Sequence, residues 1–134
     1  MTLMNIRELM IGDWVDINGL PVQVFELAYN HNEKEMTIGI LDPQGEIYSA
    51  FYGYDHIEPI PLTPEILEKN FSSTAYWYFI GTDKFCFRID KYKDKWDLYF
   101  GRDGKGTNLR IKINYVHELQ HALRLCGIDK EIEL

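Results

Sequence analysis

Residues His117-Glu118-Leu119-Gln120-His121 spell H-E-x-x-H. In a zinc peptidase two histidines one helical turn apart bind the metal, and the glutamate acts as general base toward the metal-bound water. That chemistry needs a helix, a third protein ligand and an open coordination position. The helix is present in the pattern: Asn114 suits an N-cap, Gly127 suits a left-handed stop, and Tyr115 to Cys126 lie between them. At about 100° per residue, Tyr115, Val116, Leu119, Ala122, Leu123 and Cys126 gather on one stripe. His117, His121 and Arg124 gather on the opposite side, so the histidines share a face as ligands must.

The third ligand is harder to find. Arg124 stands where the metzincin spacing places glycine, and no histidine follows nearby. Glu131 and Glu133 lie in a short tail, and His31 and His56 belong to the N-terminal half. Arg124 would also hold a permanent cation beside the metal. The expectation is therefore a non-enzymatic chain with no cofactor, in which the motif forms the outer polar face of the closing helix. A small zinc metallopeptidase, with His117 and His121 as ligands and Glu118 as base, is the alternative.

A second set of residues could bind rather than react. Asp90-Lys91-Tyr92-Lys93-Asp94-Lys95-Trp96, with Tyr99 beyond it, mixes cations and aromatics as single-strand nucleic-acid platforms do. Lys93, Lys95 and Trp96 are its candidate contacts. The structural reading of the same run is that lysines guard an exposed strand while Trp96 packs inward. Trp14, Tyr48, Tyr52 and Tyr54 are candidate surface aromatics of the N-terminal part, although each reads first as core. Gly101 to Thr107 has the composition of a phosphate loop, but it lacks the G-x-x-x-x-G-K-[ST] spacing and precedes a strand, so it reads as a hairpin turn.

The elements that must position these residues follow from patterning. Trp14 to Ile17 alternates, Asn18-Gly19 is the favoured two-residue hairpin turn, and Val22 to Leu27 resumes the alternation. Strands over Met36–Leu41 and Glu46–Tyr52 flank a type I turn at Asp42-Pro43-Gln44-Gly45. Four short strands at this spacing predict a small barrel or a bent antiparallel sheet. Thr63 as N-cap, Pro64 at the first position, Glu65 in the first turn and a Leu62–Leu67 staple predict a short linking helix. Residues 75–114 read as a four-strand meander. Phe85, Phe87, Ile89, Leu98, Phe100, Leu109, Ile111 and Ile113 form its apolar face, and Cys86, Arg88, Asp90, Asp97, Tyr99, Arg110, Lys112 and Asn114 lie on the other. Such a sheet needs a cover, and the last helix supplies it.

Composition bounds the rest. The 134 residues, 46% hydrophobic and 14% aromatic, exclude a disordered chain and allow one domain or two small ones sharing a core. The division expected is an N-terminal β part over 1–61 and a helix, meander and closing helix over 62–134. No apolar run reaches the roughly 20 residues of a membrane span, and Met1 to Asn5 lacks the pattern of a signal peptide, so a soluble cytoplasmic protein is expected. Cys86 and Cys126 form no C-x-x-C and fit a reduced compartment. A net charge of −7 disfavours generic nucleic-acid binding, yet Lys84 to Lys112 holds nine Lys/Arg against four Asp/Glu. The rest of the chain holds five against seventeen, so a basic segment sits in an acidic protein.

Two resemblances complete the reading. Ile11-Gly12-Asp13-Trp14-Val15 followed by Asn18-Gly19 and a second strand resembles the opening of an SH3-like or KOW-like barrel. Ile60 to Leu67 paired with Tyr115-Val116-His117-Glu118-Leu119-Gln120 resembles small uncharacterised proteins of Bacteroidetes gut bacteria and their phages or mobile elements. That resemblance implies His117, Leu119 and Gln120 as structural or interaction residues, leaves His121 incidental, and implies no chemistry. The expected fold is α+β: an N-terminal SH3-like small barrel or bent sheet, a linking helix, and a meander covered by a terminal helix. The expected function is an interaction module with a protein partner or a second copy of itself. Single-stranded nucleic-acid binding is a further alternative, and no membrane is involved.

Overall fold

The N-terminal hairpin forms where Asn18 and Gly19 can both take positive φ, 53° and 88°, which two-residue turns of the I′ type require. A computed structural model of the chain describes residues 8–32, 35–41, 47–52, 57–81, 85–92, 95–102 and 108–134. Strands β1 (Trp14–Ile17) and β2 (Leu20–Asn30) meet at Ile17 opposite Leu20, and the Asp16 carboxylate accepts the Gly19 amide at 2.7 Å. β3 (Glu35–Leu41), β4 (Ile47–Tyr52) and β5 (Ile57–Glu58) complete an antiparallel sheet of order β4-β3-β2-β1-β5. Register shifts between Val24 and Glu26 and between Gly39 and Ile40 mark bulges, the device that bends a short sheet. Val15, Ile17, Val22, Val24, Ile38, Ile40 and Ile57 are buried together with Leu9. The turn expected at Asp42 to Gly45 lies outside the described residues.

The chain divides into two compact units, Met1–Ile60 and Pro61–Leu134, with Pro61 in the second, where it bridges Tyr115. The second unit begins at α1 (Pro64–Asn70). Thr63 caps it, its hydroxyl accepting the Ile66 amide at 3.3 Å, and Leu62 and Leu67 are both buried. Then come β6 (Ser72–Ser73), β7 (Trp77–Gly81), β8 (Phe85–Tyr92), β9 (Lys95–Arg102) and β10 (Asn108–Ile113), an antiparallel sheet of order β10-β9-β8-β7-β6. The two-residue β6 adds a fifth strand that no alternation could announce. Phe87, Ile89, Leu98 and Ile113 are buried on the expected apolar face, joined there by Tyr78 of β7, and Phe71 stacks on Phe87 at 6.2 Å. Val116, Leu119, Ala122 and Leu123 of α2 (Val116–Leu125) are the buried residues that complete this α+β core.

α2 stops as Gly127 predicts. At φ 73° it lets the Gly127 amide reach Arg124 and the Ile128 amide reach Leu123, the paired bonds of a Schellman ending. The chain beyond is tied down. Asn70 donates to the Ile66 carbonyl and the Glu133 carbonyl, both at 2.7 Å, and accepts the Glu133 amide at 2.8 Å. Asn70 is 8% exposed, so the formal sequon Asn70-Phe71-Ser72 has its amide committed to the fold. Among the described residues no helix is long and apolar enough to cross a membrane.

Burial pushes the Tyr78 hydroxyl above its ordinary pKa of 10.0, and Glu68 and Glu65 add to the effect. An unfolded chain ionises this tyrosine first, so its share of stability is present below pH 10.0 and is lost as pH rises through the higher folded value. In an alkaline tyrosinate absorbance titration, one of the nine tyrosines should lag, and Tyr78→Phe should remove the laggard. A wild-type minus variant difference curve that rises like an ordinary tyrosine would contradict this.

Candidate functional site

The H-E-x-x-H helix differs from expectation at its start. Tyr115, not Asn114, is the N-cap, and α2 begins at Val116. Glu118 then sits at the third helical position. One of its carboxylate oxygens accepts the Asn114 amide at 3.0 Å and the Tyr115 amide at 3.1 Å, satisfying backbone donors at the entry to the helix. A general base would instead have to aim that carboxylate at a metal-bound water. The expectation of a solvated outer face is corrected as well, since His117 is 4% and Gln120 7% exposed. The helix's own apolar stripe did not reveal this. Its first turn is also flanked by residues 61–62, where Leu62 donates to the Asn114 carbonyl at 2.9 Å, and the Tyr115 ring stacks on His117 at 5.9 Å.

His121 is half-buried, its ring edge-on to His117 with centroids 5.6 Å apart. Among the described residues no group of three or more His, Cys, Asp or Glu could hold a metal ion. Because its carboxylate holds the Asn114 and Tyr115 amides, Glu118→Ala should act on stability, costing about 1 kcal/mol as lost caps do. Denaturant melts of the two proteins check this, and equal midpoints would contradict it.

The other candidates are scattered. Trp14 is half-buried on β1 opposite Gln23. Tyr48 and Tyr52 lie on β4 opposite Ile40 and Ile38, and Lys95 lies on β9 opposite Tyr92; for these three only the backbone is described. Tyr54 and Lys93 lie outside the described residues, as does the loop core 103–107. Trp96 faces inward: its indole N–H donates to the Leu62 carbonyl at 3.1 Å, and its ring meets Tyr78 edge-on at 6.2 Å. Trp96 is thus engaged with Leu62 and Tyr78 on the inward side of its strand.

What the fold does bring together is the opposite face of the same sheet. Register aligns Phe79, Arg88, Tyr99 and Arg110 in one row across β7 to β10, and Trp77, Asp90, Asp97 and Lys112 in the next. The Arg88 guanidinium lies 5.0 Å from the Trp77 ring centroid and 4.6 Å from that of Tyr99. Arg110 lies 5.4 Å from Tyr99, so cations on the strands either side of β9 flank that ring. Arg88 also pairs with Asp90 at 3.1 Å, offsetting the like-charge contact of Asp90 directly opposite Asp97. With side chains about a third exposed, each contact contributes at most about 1 kcal/mol; the row's main effect is to fix side-chain directions.

Beside the row lies a depression of about 250 Å³, lined in part by Asp97, Tyr99, Arg110 and Lys112. Small-molecule pockets start at about 300 Å³ and enclose most of the ligand. This one is smaller and open.

Comparison with protein families, curated proteins and solved structures finds no match. The functional reading therefore rests on the chain's own geometry. Sequence patterning put Arg88, Tyr99 and Arg110 on the charged face of the meander, but their joining into a row depends on register across three hairpins, which alternation alone does not specify. The cation–aromatic content of β8 to β10 was the available signal; it points also to Trp96, which lies on the opposite face of the sheet.

Proposed function

We propose that this protein is a non-enzymatic interaction module whose binding surface is the outward face of the C-terminal sheet. The observation that carries the reading is the oriented row Phe79, Arg88, Tyr99 and Arg110 beside an open depression. Aromatic and arginine side chains held in fixed directions around a shallow recess are what protein-binding hot spots use. The employment of Glu118 in capping supports the non-enzymatic half of the proposal. The order β4-β3-β2-β1-β5, with the fifth strand beside the first, supports an SH3-like reading of the N-terminal unit.

Panning a displayed random-peptide library against the whole chain tests the proposal. Enriched peptides should lose binding to Arg88→Ala and to the pair Arg110→Glu with Lys112→Glu, while circular dichroism shows the variants folded. Peptides indifferent to all these substitutions would overturn it.

A further inference from the structure

We propose that β10 is a docking edge for an extended acidic segment of a partner protein, which adds to the C-terminal sheet as a further strand. The inference deepens the interaction-module reading and rests on it. β10 ends the strand order, and among the described residues it pairs only with β9. Every second N–H and C=O along Asn108–Ile113 therefore points away from the sheet, the arrangement that recruits an added strand.

The side chains set what that strand must be. Arg110 and Lys112 are exposed on the outward face, while Ile111 is half-buried and Ile113 buried on the other. Among the described residues neither cation has a carboxylate at salt-bridge distance; Lys112 faces Asp97 across the ladder, and Arg110 lies against Tyr99. A strand alternating acidic and apolar residues would set its carboxylates beside Arg110 and Lys112 and its apolar side chains beside Ile111 and Ile113.

The same cations reject a second copy of this chain. In an antiparallel β10–β10 pair centred on Arg110, Arg110 faces itself; centred on Ile111, Arg110 faces Lys112. Like charges directly opposite destabilise a pair of strands, so the edge is guarded against self-pairing and open to an acidic strand.

The test is fluorescence anisotropy of the whole chain with labelled peptides about as long as β10. An alternating Glu–Val peptide should bind and its Lys–Val counterpart should not. One of the two alternate backbone N-methylation patterns should abolish binding while the other spares it, because a strand bonds its neighbour through one edge. Arg110→Glu with Lys112→Glu should weaken the Glu–Val peptide about tenfold or more, the equivalent of about 1.4 kcal/mol.

Failure of the Glu–Val peptide to bind, equal binding of both N-methylated forms, or indifference to the double substitution would overturn strand addition. Displacement of the peptide by a single-stranded oligothymidylate that binds more tightly through Arg110 and Lys112 would assign the edge to nucleic acid instead. If panned peptides need Arg88 but are neither acidic nor sensitive to N-methylation, this inference fails and the binding-face reading stands; if none needs the face, both fail.

Discussion

Replacing Asn70 by alanine is expected to cost about 3 kcal/mol, because three hydrogen bonds of a nearly buried amide disappear at about 1 kcal/mol each. Two of them join the end of α1 to Glu133, in the segment that places Ile132, 3% exposed, in the core. If the segment peels away, its backbone regains water, and the loss becomes that of exposing Ile132, about 1.5–3 kcal/mol. Either route gives a similar total. Asn70→Asp should be at least as damaging, since a carboxylate cannot donate to the Ile66 and Glu133 carbonyls. Urea melts give the magnitude. Hydrogen exchange should show amides of residues 128–134 losing protection well before those of β8 and β9, and unchanged protection there would contradict the account.

The second large effect is expected at Phe87. Its side chain is fully buried, stands between Ile80 and Phe100 in the ladder and stacks on Phe71, the residue that ends α1. Truncation to alanine removes apolar burial and opens a cavity beneath the candidate binding face, a change that costs about 3–5 kcal/mol in close-packed cores. Phe87→Leu, keeping more of the volume, should recover much of that loss. Urea melts of the two variants measure this, and a deficit under about 1 kcal/mol for Phe87→Ala would mean that the sheet is not packed as described.

These two positions illustrate what patterning could and could not disclose. Phe87 was legible because strict alternation along β8 is a local property, and the same holds for the Asn18-Gly19 turn, the Thr63 cap and the Gly127 stop. Asn70 was not legible in its structural role: as a string it reads as a sequon, and its bonding to Glu133 depends on contacts more than sixty residues away along the chain. The wheel pattern puts His117 on the wet side for a related reason. A helical wheel weighs only the helix's own side chains, whereas the turn at His117 is also flanked by Tyr115 and by the residues before α1. The strands β5 and β6 escaped because two residues have no period.

The candidate site lies between these cases. Which residues of β8 to β10 face outward followed from the sequence, but which of them meet followed only from register. H-E-x-x-H was the converse, a well-formed string whose central carboxylate works for its own helix.

The central claim, that the outward face of the C-terminal sheet is where this protein binds, is tested most directly by mapping a panned peptide on the isotopically labelled whole chain by amide chemical-shift perturbation. The account predicts that the largest shifts fall on Asp97 to Tyr99 and on Asn108 to Lys112 and vanish with Arg110→Glu and Lys112→Glu. Shifts centred on His117 to His121, or on the N-terminal unit with the sheet unmoved, would contradict it.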